Sequence, residues 1–599
     1  MASNPDDAFQ ARPDLTGSFG MCASTHWLAS ATGQSVLERG GNAFDAAVAA
    51  AFVLHVVEPH LNGPGGDLVA LIAPAGAPPR VLSGQGPAPR GATIEHFTAE
   101  GLDLVPGAGA LAAAVPGAVE AWLLLLRDHG TWELPAVLEY AVHYATAGHR
   151  IGAGAAETIA AVAPLFRDGW PTSAELWLSD GVPPRAGQVV RNPAYSETLT
   201  RLAREASGAG SRAERIDRAR SAWSRGFVAR DIDAFVRSTP HQHSTGTVHR
   251  GVLTADDMAA FAAGYEEPVA GSFRGTGVLK AGPWSQGPAL LQTLAILDGL
   301  TDAELDLTTD LGVHHVVEAL KLAMADREAY YGEDLPPADL RHLLSAGYAR
   351  QRRALIGPAA SHELRPGRLP GRAAPELPAL WTARVPVARG GSVGEPTVSP
   401  AGVTRGDTCH LDVMDRWGNA ISATPSGGWL QSSPAIPGLG FALGTRLQMT
   451  WLDPRSPSAL RPGRRPRTTL TPTLLVRDGA VVSALGTPGG DQQEQWQVGY
   501  LVNALAAGLS PQRSIEAPAF HTTSFPSSFW PRTGTPGGIV VEDRLGDDVI
   551  RALAARGHVV TRAGDWTLGR LSSVSRDPTT GELSAAANPR GGQGYATGR

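Results

Sequence analysis

Two hydroxyl side chains frame the stretch Gly406-Asp407-Thr408-Cys409-His410-Leu411-Asp412-Val413-Met414-Asp415-Arg416-Trp417-Gly418-Asn419-Ala420-Ile421-Ser422-Ala423-Thr424-Pro425-Ser426. Apolar and polar residues alternate from Cys409 to Val413 and again from Ile421 to Thr424, on either side of a Gly-Asn pair, which predicts a β-hairpin turning near Trp417. That register sets Thr408 opposite Ser426. A threonine hydroxyl needs a base before it can attack, and one available base is the threonine's own amine, freed when the peptide bond before it is cut. The pattern suggests a threonine nucleophile, and the chain would then have to cleave itself at Asp407-Thr408. Threonine is also a favoured strand residue, so Gly-Asp-Thr alone is far more often the mark of an ordinary strand than of a nucleophile.

The elements that must position this hairpin come from a chain of 599 residues, 43% of them hydrophobic and 18% charged, enough for a large buried core in one interwoven unit. A net charge of −6 and the lack of a long Lys/Arg run argue against nucleic acid as a partner. The acidic start, Met1-Ala2-Ser3-Asn4-Pro5-Asp6-Asp7, has no basic region and no apolar core, and the longest apolar run, Ala46 to Val57, is too short for a membrane and carries His55. A cytoplasmic protein without membrane partners is expected. Cys22 and Cys409 make neither a disulfide framework nor a metal cluster, and Cys409 reads as a small packed side chain. His241, His243 and His249 fall in a polar stretch without a carboxylate or cysteine companion and read as solvated rather than metal-binding. No metal or cofactor is expected.

In chain order, Ala23 to Ser30 reads as a strand and Thr32 to Glu38 as a helix ending at Gly40-Gly41, with Asn42 capping the next helix. Asn62-Gly63-Pro64-Gly65-Gly66-Asp67 reads as a loop whose glycines take positive φ, before a strand from Leu68 to Ile72. Helices are predicted at Leu123 to Asp128, Val137 to Gly148, Pro288 to Leu297 and His314 to Tyr331. Pro366 to Pro400, rich in Pro, Gly and Arg, reads as an unpacked linker leading to the cut. Later, strands Thr473 to Val476 and Val481 to Gly486 flank an Asp478-Gly479 turn, and Thr487-Pro488-Gly489-Gly490-Asp491 precedes a helix from Gln492 to Leu505. Two glycine N–H groups at such a strand-to-helix junction suit an anion or a tetrahedral oxyanion.

Together, Gly-Asp-Thr, the block from Gly40 through Asp67, the segments Gly282 to Leu300 and His314 to Glu333, and Thr487 to Asp491 resemble the γ-glutamyltranspeptidase family of N-terminal nucleophile hydrolases, from about Ala23 to the C-terminus. The resemblance implies an α+β fold, the four-layer αββα sandwich of that class. It implies scission into residues 1–407, ending in the linker 366–407, and 408–599, the two remaining associated as a heterodimer. It also implies roles. Thr408 is the nucleophile and its amine the base. Ser426 stands where the family has a second threonine, Thr468 and Thr469 where it has two substrate-binding serines, and Gly489 and Gly490 form the oxyanion hole. The reaction would run through an acyl-threonine ester. Three positions depart from the glutathione-accepting pattern: Gln85 replaces an arginine, Gly428 an asparagine and Gln448 an aspartate. Each lost charged contact costs on the order of 2–5 kcal/mol, so the expected substrate is another small acyl amide, with Arg446, Arg465 or Arg467 as candidate carboxylate partners. The alternatives are a true γ-glutamyltransferase or glutathione hydrolase, and an unprocessed, non-catalytic scaffold.

Overall fold

The computed structural model describes residues 10–377, 407–592 and 594–599. Its framework is two seven-stranded antiparallel sheets. In the first the strand order is Tyr595–Gly598, Gly20–Ser24, Leu411–Asp415, Ala420–Ser426, Asp67–Ala73, Arg80–Gly84, Gly264–Glu266. In the second it is Leu15–Gly17, Leu583–Ala587, Ser572–Arg576, Ala480–Gly486, Thr473–Arg477, Thr276–Lys280, Val269–Phe273. The hairpin is closed by Asp415, whose carboxylate accepts from the N–H groups of Trp417 and Asn419 and from the Asn419 amide. Its pairs run from Met414 opposite Ala420 to Leu411 opposite Ala423, and Thr408 bridges Ser426 beyond them, as the alternation predicts. Both hairpin strands are wholly buried, because strands from the N-terminal part of the chain flank them on either side.

Side-chain alternation sorts each strand between two surroundings. Leu411, Val413, Ile421 and Ala423, with Leu68 and Ala70, pack among residues of helices Ala43–Val57 and Ala118–His129. Met414, Ala420, Val69 and Leu71 share one cluster with Leu474, Ala484 and Val574 of the second sheet. The other face of that sheet, with Val278, Leu475 and Leu485, meets helices Gly287–Leu297, Asp310–Tyr330 and Gln493–Leu505. The result is a mixed α/β protein. Among the described residues no helix is long and apolar enough to cross a membrane.

Several local expectations are corrected. The strand expected at Ala23 to Ser30 ends at Ser24, and a helix runs Trp27–Glu38. The His26 ring accepts from the Leu28 N–H and caps that helix, a role histidine rarely signals in sequence. Asn42 caps the following helix with a full capping box to Asp45. Gly63, Gly65 and Gly66 are not among the positive-φ residues. They are small because another backbone lies against them: a Cβ on Gly63 would stand 2.3 Å from Gly428 O, on Gly65 2.1 Å from Ala442 O and on Gly66 2.1 Å from Ser426 O. The histidines expected to be solvated are buried; His243 accepts from Leu111 N–H and His249 bonds Glu100. The stretch expected to be unpacked from Pro366 is held as far as Leu369, through Gly367 N–H to Asp326 and a buried Leu369 side chain; 378–406 lies outside the described residues.

Gly66→Ala is expected to lower folding stability by about 1–3 kcal/mol, the cost of overpacking a rigid contact, whereas Gly40→Ala, with open space around it, loses only what its positive φ demands. Denaturant midpoints of the two variants check this.

Candidate active site

At one end of the first sheet Thr408 faces Ser426, Ser426 faces Asp67, and Leu68 faces Gly84, so that Gln85 continues the row. By strand parity Thr408, His410, Asp412 and Met414 share the face turned to the second sheet, as do Ala420, Ser422, Thr424 and Ser426. That face is apolar at the Met414 end and becomes hydroxylated toward Thr408. Thr408 Oγ1 and Ser426 Oγ are 3.1 Å apart, and Ser426 Oγ donates to the Asp407 carbonyl at 3.0 Å. A serine has one proton to donate, so with that proton on Asp407 O the hydrogen bond between the hydroxyls is donated by Thr408.

Asp67 and Arg446 form a buried ion pair against this row, Arg446 Nε to Asp67 Oδ2 at 2.6 Å and Nη2 to Oδ1 at 2.7 Å. Burial raises the Asp67 carboxyl above its usual range, with Arg446 opposing. A Cβ on Gly427 would touch Asp67 Oδ1 at 3.0 Å, so the pair borders the turn after Ser426, where Gly427 and Gly428 have φ of 72° and 64°. Arg446 therefore reaches the site neutralised by an aspartate.

Gly489 and Gly490, with φ of 126° and 53°, form the turn before helix Gln493–Leu505, and no described residue accepts from either N–H. The turn is anchored from behind. Asp491 accepts from Arg327 at 2.5 Å and from Ser528 N–H and Oγ at 2.7 Å. Burial raises the Asp491 carboxyl, but Arg327 and Ser528 outweigh it and hold it below its usual range. Gln286 bonds Arg327, Glu494 and the Gly490 carbonyl. Deeper in, burial brings the Glu494 carboxyl up to about 7 and the Lys280 ammonium down to about 7. Thr468 bridges Ser285 beside Trp284; the buried Thr469 hydroxyl has no described partner, and the Gln493 amide, oriented to donate, reaches both Thr469 O and Thr487 O at 3.2 Å.

Other expected residues are held by the protein itself. Gln448 bonds Thr445 Oγ1 and accepts from Trp530 N–H. Arg465 pairs with Glu266 and Glu333, and Arg467 with Glu328. Gln85 is fully buried, and its Oε1 has no described partner. Cys409 donates to Glu58; burial first, and Glu58 second, push the thiol far up, so it is inert as a nucleophile. The described His/acid group compact enough to hold a metal is His314, Glu318 and His558, whose Glu318 is already paired with Lys321 and Arg365, leaving surroundings that repel a cation. Asp67, Asp491 and Arg327 were given no role from the sequence alone. Asp67, an acid at the end of a glycine run entering a buried strand, offered a signal.

The gamma-glutamyltranspeptidase family model matches residues 29–598. The glutathione hydrolase-like YwrD proenzyme of Bacillus subtilis (strain 168) is 29% identical over 595 residues, 98% of this chain and 99% of that protein. The solved structure of LmbA2991HD is 52% identical, with a TM-score of 0.92 over 99% of this chain and 100% of that one. The cephalosporin acylase of Bacillus halodurans is 29% identical, with a TM-score of 0.81 over 100% and 98% of the two chains.

Removing one partner of the buried Asp67–Arg446 pair strands a charge. Arg446→Met is expected to cost about 3–5 kcal/mol, and the double variant Asp67→Leu/Arg446→Met markedly less than the sum of the single losses. Urea unfolding of the three proteins measures the coupling.

Proposed function

The chain belongs to the gamma-glutamyltranspeptidase family, and we propose that within it the protein is a self-processing amidohydrolase, built as an αββα sandwich, with Thr408 as its nucleophile. The observation that carries this reading is the contact chain from Thr408 Oγ1 through Ser426 Oγ to the Asp407 carbonyl. Attack of Thr408 Oγ1 on the Asp407 carbonyl carbon forms an ester and breaks the Asp407–Thr408 amide. Ser426 donates a hydrogen bond to the oxygen that gains charge, and the amide nitrogen takes the proton. Water then cleaves the ester, leaving a carboxylate on Asp407 and a free amine and hydroxyl on Thr408. The two fragments stay together because each supplies strands to both sheets.

In turnover the Thr408 amine takes the proton from its own hydroxyl, the hydroxyl attacks the substrate carbonyl, and the N–H groups of Gly489 and Gly490 bind the oxyanion. The leaving amine departs with the proton, and water or an acceptor amine releases the acyl group from Thr408. Thr469 Oγ1 and Gln85 Oε1, buried polar atoms without described partners, serve the substrate's polar groups. Gln85, Gly428 and Gln448 offer no charge to a γ-glutamyl group and Arg446 is held by Asp67, which favours a different small acyl amide; the likeness to a cephalosporin acylase supports the same class. Glutathione hydrolysis is the second reading, favoured by the likeness to a glutathione hydrolase-like proenzyme.

Wild-type protein is expected to run as two bands on a denaturing gel and Thr408→Ala as one, with intact mass locating the cut after Asp407; a fully active single chain would falsify the mechanism. On cleaved protein Ser426→Ala should lower kcat roughly 10- to 1,000-fold, with Ser426→Thr largely tolerated. Glutathione should be turned over with kcat/KM below about 10⁴ M⁻¹s⁻¹; a higher value selects the second reading.

A further inference from the structure

Between the nucleophile strand and the strand that leads to Gly489–Gly490 lies a buried imidazole that the proposed reaction does not use. His410 is wholly buried two residues beyond Thr408, on the same strand face. Its Nε2 is 2.9 Å from Asp412 Oδ1 and its Nδ1 2.9 Å from Thr424 Oγ1. The Asp412 carboxylate accepts from Nε2–H, and Nδ1 shares the second hydrogen bond with the Thr424 hydroxyl. Asp412 Oδ2 in turn accepts from Ser572 Oγ at 2.8 Å, and Ser422 Oγ donates to Leu485 O at 2.9 Å. Ser572 and Gly486 are paired across the second sheet. The hairpin is thus hydrogen-bonded to the two neighbouring strands opposite it.

The imidazole's remaining neighbour fixes the spacing. A Cβ on Gly486 would stand 2.3 Å from His410 Cε1, so the strand Ala480–Gly486 passes as close to the ring as a bare backbone allows. Three residues later comes Gly489. A ring locked on both nitrogens and touching the opposing backbone sets how far the Gly489–Gly490 turn stands from Thr408. We infer that His410, locked by Asp412 and Thr424 against Gly486, is a positioning residue that registers the oxyanion turn to the nucleophile. The inference rests on the reading of Thr408 as nucleophile and Gly489–Gly490 as oxyanion donors. His410 itself touches no substrate; it acts through the strand it props.

The test is the acylation of Thr408 in self-cleaved protein by p-nitrophenyl acetate, followed as the p-nitrophenolate burst and as the mass of the acylated C-terminal fragment. A misplacement near 1 Å costs on the order of 100-fold, so Gly486→Ala and His410→Ala are each expected to slow acylation about 10- to 100-fold, with half-saturation within about threefold of wild type. His410→Gln, which keeps a donor for Asp412, should recover most of the rate. Because His410→Ala removes the ring that Gly486→Ala strikes, the double variant should be no slower than His410→Ala alone. Wild-type acylation in cleaved Gly486→Ala or His410→Ala, or losses that multiply in the double variant, overturns the inference. Where His410→Ala does not fold or cleave, Gly486→Ala and Asp412→Asn decide it by the same rates. A burst that persists in Thr408→Ala would instead refute the underlying reading of the nucleophile.

Discussion

A hydroxyl has one proton to donate, and Ser426 gives its proton to the carbonyl of Asp407. That constraint orders the neighbourhood: Thr408 donates to Ser426, and Asp67 and Arg446 seal the far side of the row as a neutral pair. Ser426 holds its place because its strand is zipped on one side to Leu411–Asp415 and on the other to Asp67–Ala73. Both strands are buried, so a slip of one residue would turn the hydroxyls toward the helices and bring Leu411, Val413 and Ile421 onto the opposite face. Core packing thereby enforces the register on which the proposed chemistry depends.

The second half of the site is fixed electrostatically. Arg327, Arg467 and Arg532 lie buried with Glu328 and Asp491, and the charges are divided between the helix Asp310–Tyr330 and loops distant in sequence. Arg532 donates to the carbonyls of Gln448 and Thr450 and stacks on Trp451, while Asp491 gathers Ser528. The loop after Ser524 is thereby tied both to the glycine turn and to the segment after Arg446. A buried network of this kind contributes little net stability, but it makes every alternative placement of its members costly.

What the sequence could reveal followed from the range of the interactions. The hairpin was legible because period-two alternation and a Gly-Asn turn are local, and the cap at Asn42 because its partner Asp45 is three residues away. The pairing of Asp67 with Arg446 joins residues 379 apart and leaves no periodic trace. The Gly63–Gly66 run illustrates the ambiguity of a small residue: positive φ and close backbone approach select glycine alike, and only the neighbouring chain at Gly428 and Ser426 tells them apart. His26 was misread because capping by an imidazole has no reliable sequence pattern. His243 and His249 looked solvated because the groups that hold them, Leu111 N–H and the Glu100 carboxylate, are remote in sequence.

The hairpin's place inside the first sheet carries a consequence for the life of the molecule. Residues that begin the proposed second fragment form the third and fourth of seven strands, between neighbours that belong to the first. Before scission, every pairing is made within one chain, and finding it does not depend on concentration. Afterwards the same pairings join two chains, and a molecule that opens must recover them by encounter with a separate partner. On the proposed reading, the uncut chain is its own assembly template, discarded by the scission before Thr408. A molecule cut as proposed would persist by the slowness of its opening rather than by its ability to form again.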